Sequence, residues 1–234
     1  MGVTALNKKE KRERLAQISH RLRELYPVAE CALEYEGDPW KLLVMGRLSA
    51  QCTDKRVNIV SKELFSRYPT ARDMAEADIE ELSEIVKPCG LYRVKAQNIK
   101  DASAMLVSEY GGVLPSEMEE LLRFSGVGRK IANLLIGDVF GGPAIVCDTH
   151  CIRICARLGM YPESEKNPEK IERILRDLMD AREGSDFCHR IVIFGREVCS
   201  ARNPGCESCP LSHLCERNIR NGRKKEKADL PDNS

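Results

Sequence analysis

Four cysteines lie close together towards one end of the chain. Cys199, Cys206, Cys209 and Cys215 follow a C-x6-C-x2-C-x5-C spacing. Thiolates at that density can enclose one soft metal centre. A structural zinc site usually takes its ligands as two close pairs. Here only Cys206 and Cys209 make such a pair, and the wider gaps let a single loop wrap a larger object. A cubane iron–sulfur cluster held by four cysteines suits the spacing better, with zinc or a set of unrelated thiols as the alternatives. The chain carries eleven cysteines in 234 residues. A secreted disulfide scaffold would be shorter and would carry a leader. The opening MGVTALNKKEKRERL has no apolar stretch to serve as one.

A second group spans Leu121 to Ala132, LLRFSGVGRKIA. An apolar helix end meets Gly126-Val127-Gly128, and a new helix is expected from Arg129-Lys130. Glycines on both sides of one apolar residue permit a tight turn with its backbone N–H groups open and the valine pinned between helices. Such amides at a helix start suit a phosphodiester. This helix-hairpin-helix pattern grips the DNA backbone and carries no base information. The plain alternative is an ordinary connector between two helices. Eighteen residues past Lys130 comes Asp148, within Val146-Cys147-Asp148-Thr149-His150. An amine at the positive end of a helix, held partly out of water, favours its neutral nucleophilic form. A nearby carboxylate can take its proton and stabilise a cationic sugar intermediate. In the plain reading Lys130 touches a phosphate and Asp148 caps the next helix, and neither residue alone outweighs that.

The elements that must position these groups read as helices almost throughout. Leu15, Ile18, Leu22, Leu25 and Tyr26 make one stripe, and Val57, Val60, Leu64, Phe65 and Tyr68 a second. Ile79, Leu82 and Val86 make a third, and Ile171, Ile174, Leu175, Leu178 and Met179 a fourth. Each has the spacing of one buried helix face. Asn167-Pro168 offers an N-cap with proline at the first helical position, and Ser116 with Glu119 fits a capping box. Gly90 and Gly159 fall where left-handed C-caps are expected. Only Ile191–Phe194 and Ala144–Cys147 could be strands, and both are short enough to be buried helix or loop. The chain is expected to be all-α, with a polar tail that stays disordered.

Composition narrows the classes further. Hydrophobic residues are 42% of the chain, enough for a core. The longest apolar stretch, Ile131–Cys147, is broken by Asn133, Asp138 and Gly141-Gly142, so no membrane span is expected and the chain reads as cytosolic. With 37 basic against 36 acidic side chains and a net charge of +1, a globally basic nucleic-acid binder is not indicated. A local basic face remains open to the chain. The basic runs at Lys8, Lys9, Lys11, Arg12 and Arg14, and at Arg217, Arg220, Arg223, Lys224, Lys225 and Lys227, read as solvated faces or loose tails.

Taken together, these motifs resemble the endonuclease III family of DNA glycosylases, over residues 10–217. The family's catalytic lysine falls on Lys130, its catalytic aspartate on Asp148, and its cluster ligands on Cys199, Cys206, Cys209 and Cys215. Its Leu-Ser-Ala-Gln-x-Thr-Asp stretch is Leu48–Asp54, where Gln51 matches the residue that fills the gap left by an extruded base. In Gly90-Leu91-Tyr92, Leu91 matches the wedge pushed into the base stack. From the residue pattern alone, Gln51 is an ordinary helix glutamine and Leu91 an apolar loop residue. The family's hairpin usually reads Leu-Pro before Gly-Val-Gly, where this chain has Phe124-Ser125. Its cluster loop is usually more basic, and here Arg202 is the main cation.

The resemblance implies two helical domains flanking a DNA-binding groove. Residues 32–143 would form a six-helix domain with the hairpin, 1–31 plus 144–217 a domain holding one [4Fe-4S] cluster, and 218–234 the tail. It implies a bifunctional glycosylase and abasic-site lyase, which removes oxidised pyrimidines from duplex DNA and cleaves the strand by β-elimination. The DNA-contacting set would be Gln51, Leu91, Gly126, Val127, Gly128, Arg129, His150 and Arg202. The enzyme would act as a monomer in the cytoplasm, with the cluster as scaffold. Rival readings are a monofunctional adenine- or mismatch-type glycosylase, whose branch lacks the lysine and often adds a C-terminal recognition domain, and a non-catalytic DNA-binding module. Lys130 is present, and the chain runs only nineteen residues past Cys215.

Overall fold

The computed structural model describes residues 6–219, so the tail from residue 220 onward lies outside the described residues. Among those described none is a strand, and besides a last helical turn at 216–219 the α-helical segments are α1 (Lys8–Leu25), α2 (Pro39–Leu48), α3 (Asp54–Arg67), α4 (Ala71–Glu76), α5 (Ile79–Val86), α6 (Tyr92–Tyr110), α7 (Met118–Leu121), α8 (Arg129–Asp138), α9 (Thr149–Arg157), α10 (Pro168–Leu178) and α11 (Gly184–Glu197). None of these helices is long and apolar enough to cross a membrane. The chain divides into two compact units. One is Cys31–Ala144, and the other joins the chain up to Glu30 with the chain from Ile145 onward.

The unit Cys31–Ala144 holds α2 to α8. Short polar residues start its helices: Asp38 accepts from the Trp40 and Lys41 amides, Thr53 caps α3, Thr70 makes a capping box with Asp73, and Asp78 caps α5. Each cap satisfies amides that a helix start leaves without partners. Val57, Val60, Leu64, Leu82 and Val86 are buried, as are Leu42, Leu43, Ile99 and Leu106, where α3 packs on α2 and α5, and α6 on α2 and α5. Trp40 closes this core, its Nε1 donating to Ser103 Oγ at 2.9 Å.

The other unit joins α1 to α9, α10 and α11. Leu15, Ile18 and Leu22 of α1 are fully buried, as are Ile171 and Leu175 of α10 and Ile191 of α11. Buried Arg190 donates to the Tyr26 and Pro27 carbonyls at 2.8 and 3.1 Å, which pins the end of α1 to α11. Asn167 caps α10 with Pro168 at its first position. At Gly159, φ is +94°, and the amides of Gly159 and Met160 return to the Ala156 and Cys155 carbonyls. That is the Schellman end expected after α9.

One local expectation is corrected and two open readings are settled. Ser116 does not cap α7: its hydroxyl donates to the Glu117 carboxylate, and Glu117 stands at the N-cap without a side-chain bond to the helix amides. A helix of one turn offers the capping box little to hold. Ile191–Phe194 is helix, part of α11, with Ile191 and Phe194 buried at i and i+3 as one helix face requires. Ala144–Cys147 belongs to neither helix nor strand.

Candidate nucleic-acid interface and active site

The hairpin turn is built by its backbone. Phe124 and Val127 are buried and anchor the turn, with the Val127 amide donating to the Phe124 carbonyl at 3.0 Å. Gly126 has φ +74°, and a Cβ there would stand 2.5 Å from Arg47 Nε and 2.9 Å from Asn98 Cβ. Both conformation and space therefore demand glycine. Gly128 is different. Its φ is −103° and a Cβ would meet nothing within 4 Å. It is the N-cap of α8 and supplies no side-chain cap, and a helix start of that kind suits an outside acceptor. Ser125, where the family has proline, accepts from Asn98 Nδ2 at 2.8 Å, and Asn98 Oδ1 accepts from Arg47 Nε at 2.9 Å. A chain of hydrogen bonds to α6 and α2 thus replaces the stiffness of a ring. Nothing in the sequence singles out Arg47 for this place.

Lys130 is the second residue of α8 and is exposed, and Arg129 before it is half-buried. The partial desolvation expected for Lys130 is absent, because its side chain leaves the helix on the solvent side. Asp148 is the N-cap of α9, its Oδ1 accepting from the Cys151 amide at 2.7 Å. The plain reading of Asp148 as a helix cap therefore holds, and the cap orients the carboxylate. Lys130 and Asp148 belong to different units. His150 Nδ1 lies 3.2 Å from Arg153 Nη2, and its ring rests against Gly195 of α11, where any side chain would collide with it.

Gln51 and Leu91 share a conformation that nothing in their residue types announces. Their φ values are +55° and +48°, and Glu36 is the one other non-glycine residue with positive φ among those described. A side chain held there costs about 1–3 kcal/mol and marks a constrained position. Both are exposed, Leu91 to 58%.

In the other unit, Cys199, Cys206, Cys209 and Cys215 line one cavity of about 500 Å³, its open mouth included. No group of three His, Cys, Asp or Glu among the described residues can hold a single metal ion. Burial, first of all, raises the Cys209 and Cys215 thiols above their ordinary range. Buried Arg157 donates to Cys199 Sγ at 3.2 Å and to the Ser200 and Ala201 carbonyls at 2.8 Å each. Arg153, one turn earlier, donates to the Cys199 carbonyl at 3.0 Å. Its Nε is buried without a partner, and burial lowers its pKa. Arg202 is exposed in the loop between the first two cysteines. Sequence reasoning missed Arg153 and Arg157. The available signal was two arginines one turn apart beside Cys151, Ile154 and Cys155 on a buried face.

Residues 44–181 match the family model described as HhH-GPD superfamily base excision DNA repair protein. The chain is 43% identical to Endonuclease III of Synechocystis sp. over 206 residues, 88% of this chain and 93% of the relative. It is 40% identical to Endonuclease III of Bacillus subtilis, over 90% of this chain and 93% of that one. Among solved structures, a non-covalent Endonuclease III–DNA complex superposes with a TM-score of 0.85 at 38% identity, covering 93% of this chain and 99% of the other. A trapped Endonuclease III–DNA covalent intermediate matches equally well, covering 93% of this chain and 100% of its own.

Proposed function

The chain belongs to the endonuclease III family within the HhH-GPD superfamily of base excision DNA repair proteins, and from that membership we propose how its residues divide the work. It is a DNA glycosylase and abasic-site lyase of base excision repair that acts on oxidised pyrimidines. The amides at the start of α8 grip the backbone of a duplex carrying a damaged pyrimidine or an abasic site, with Gly126, Val127, Gly128 and Arg129 forming the grip and His150 and Arg202 adding contacts from the other unit. The lesion weakens its own stacking, so the damaged nucleotide leaves the helix at reduced cost. Leu91 wedges into the stack and Gln51 fills the gap.

Lys130 Nζ then attacks C1′ of the deoxyribose. The new C–N bond replaces the glycosidic bond, whose electron pair leaves with the base. Asp148 holds a negative charge where the sugar becomes cationic. Ring opening gives an imine that acidifies the C2′ proton, and loss of that proton expels the 3′ phosphate by β-elimination. Cys199, Cys206, Cys209 and Cys215 would hold one [4Fe-4S] cluster. Four thiols lining one cavity fit that larger group. When bound, the cluster supplies scaffold and no step of the reaction. The working form is a monomer in the cytoplasm, at the nucleoid.

The observation that carries this reading is an uncapped α8 with Lys130 as its second residue, on a chain 43% identical to an endonuclease III. A thymine-glycol duplex tests it. Strand cleavage together with a borohydride-trapped protein–DNA adduct is expected. Base release without an adduct would instead indicate a monofunctional enzyme.

A further inference from the structure

We infer that Lys95 is a positioning residue for base extrusion, a single buried ammonium that ties the turn carrying Gln51 to the turn carrying Leu91. The inference rests on the roles proposed above for those two residues and says what holds them in place. Lys95 lies in the first turn of α6 and has no exposed surface. Its Nζ donates to the Leu48 carbonyl at 2.8 Å, the Ala50 carbonyl at 2.7 Å and the Cys89 carbonyl at 2.8 Å. Three carbonyl acceptors use all three protons of an ammonium, one more than a neutral amine can donate.

These acceptors are not scattered. Leu48 ends α2, where carbonyls lack helical partners and the helix dipole favours a cation. The Ala50 carbonyl belongs to the peptide that enters Gln51. Cys89 closes the short 3-10 turn Lys87–Cys89, directly before Gly90-Leu91. The backbone completes the arrangement, the Lys95 amide donating to the Leu91 carbonyl at 3.0 Å. One residue therefore holds both segments that lead into the exposed left-handed residues Gln51 and Leu91.

A lysine that only filled space here would be a poor choice. Burial draws its pKa below the ordinary lysine value, and a buried charge is costly unless hydrogen bonds replace water. An aliphatic side chain would fill the volume without that cost, but it could not bind two separate turns at once. The constraint on the turns is what lysine adds.

Lys95→Met removes the three donors and keeps the stem. Excision of thymine glycol should fall roughly 100-fold, the loss that a displacement of about 1 Å produces. The fluorescence rise of 2-aminopurine beside the lesion, which reports unstacking, should be lost with it. Binding to undamaged duplex should hold, because the hairpin is untouched. In a Gln51→Ala/Leu91→Ala background, adding Lys95→Met should cost nothing more, since the residues it positions are already gone. Losses that multiply in that background, or a parallel loss of undamaged binding, would mean a merely structural lysine and overturn the inference. If Gln51→Ala/Leu91→Ala itself excises and unstacks like the parent, the proposed roles of the two residues fail and the clamp falls with them. Should Lys95→Met not fold, Lys95→Arg runs the same cycle with the same expected and contrary outcomes, its longer planar head forcing the turns apart while keeping charge and donors.

Discussion

In the hairpin between α7 and α8 the backbone does the holding. Gly126 takes a conformation and a space closed to other residues, Phe124 and Val127 sink into the core, and Ser125 is tied to Asn98 and Arg47. In the cysteine loop the holding comes from side chains of another element. Arg153 and Arg157 of α9 reach the Cys199 carbonyl, the Cys199 sulfur and the two carbonyls after it, while Cys206 stays exposed. The hairpin is complete as protein alone. The loop presents four thiols around a cavity and two arginines at its edge, a shape that a bound group would finish. On the proposed roles, the comparison teaches that a surface for an anion can be preformed by turn geometry, whereas a loop that would enclose a cluster leaves part of its stability to that group.

The contrast orders the expected losses of stability. Cys206→Ser should cost the most, because metal-linked folding energies are on the order of 10 kcal/mol. Iron content and soluble yield should fall together, and equal thermal stability of variant and parent would break the comparison. Gly126→Val comes next, at roughly 3 kcal/mol, from a β-branched residue forced to positive φ against Arg47. Urea unfolding reads that cost, and affinity for damaged and undamaged duplex should drop alike, since the hairpin reads no bases. Ser125→Ala should cost about 1 kcal/mol for the lost bond from Asn98, and a variant as stable as the parent would show that Phe124 and Val127 hold the turn unaided. Asp148→Asn should leave stability within about 0.5 kcal/mol, because asparagine caps a helix as well as aspartate does. It should still slow base removal more than cleavage of a preformed abasic site. Equal slowing of both steps would assign Asp148 to binding.

Legibility in the sequence followed the kind of signal each residue carries. The cysteine spacing and the Gly-Val-Gly turn are visible because chemistry and steric need restrict the residue type. The helix stripes of α1, α3 and α10 are visible because one face is buried and the other wet. Lys130 and Asp148 stood out only through resemblance, since a lysine at a helix start and an aspartate at an N-cap are ordinary. Gln51 and Leu91 carry no mark of their left-handed backbone, because neither residue type prefers it. Apart from their spacing of one turn, Arg153 and Arg157 carry no mark of their role in the sequence, and only the packing of α9 against α11 turns them inward. Lys95 was hidden for the same reason, a lysine being read as surface by default.

The central claim is that Lys130 is the nucleophile. Borohydride trapping on a thymine-glycol duplex, followed by peptide mapping of the adduct, tests it directly. The parent should give one modified peptide, with the deoxyribose remnant on Lys130 Nζ. Lys130→Gln should give neither adduct nor strand cleavage while still binding the lesion, since its exposed side chain contributes little to the fold. An adduct mapped to another amine, or abasic DNA cleaved by Lys130→Gln at the parent rate, would contradict the account.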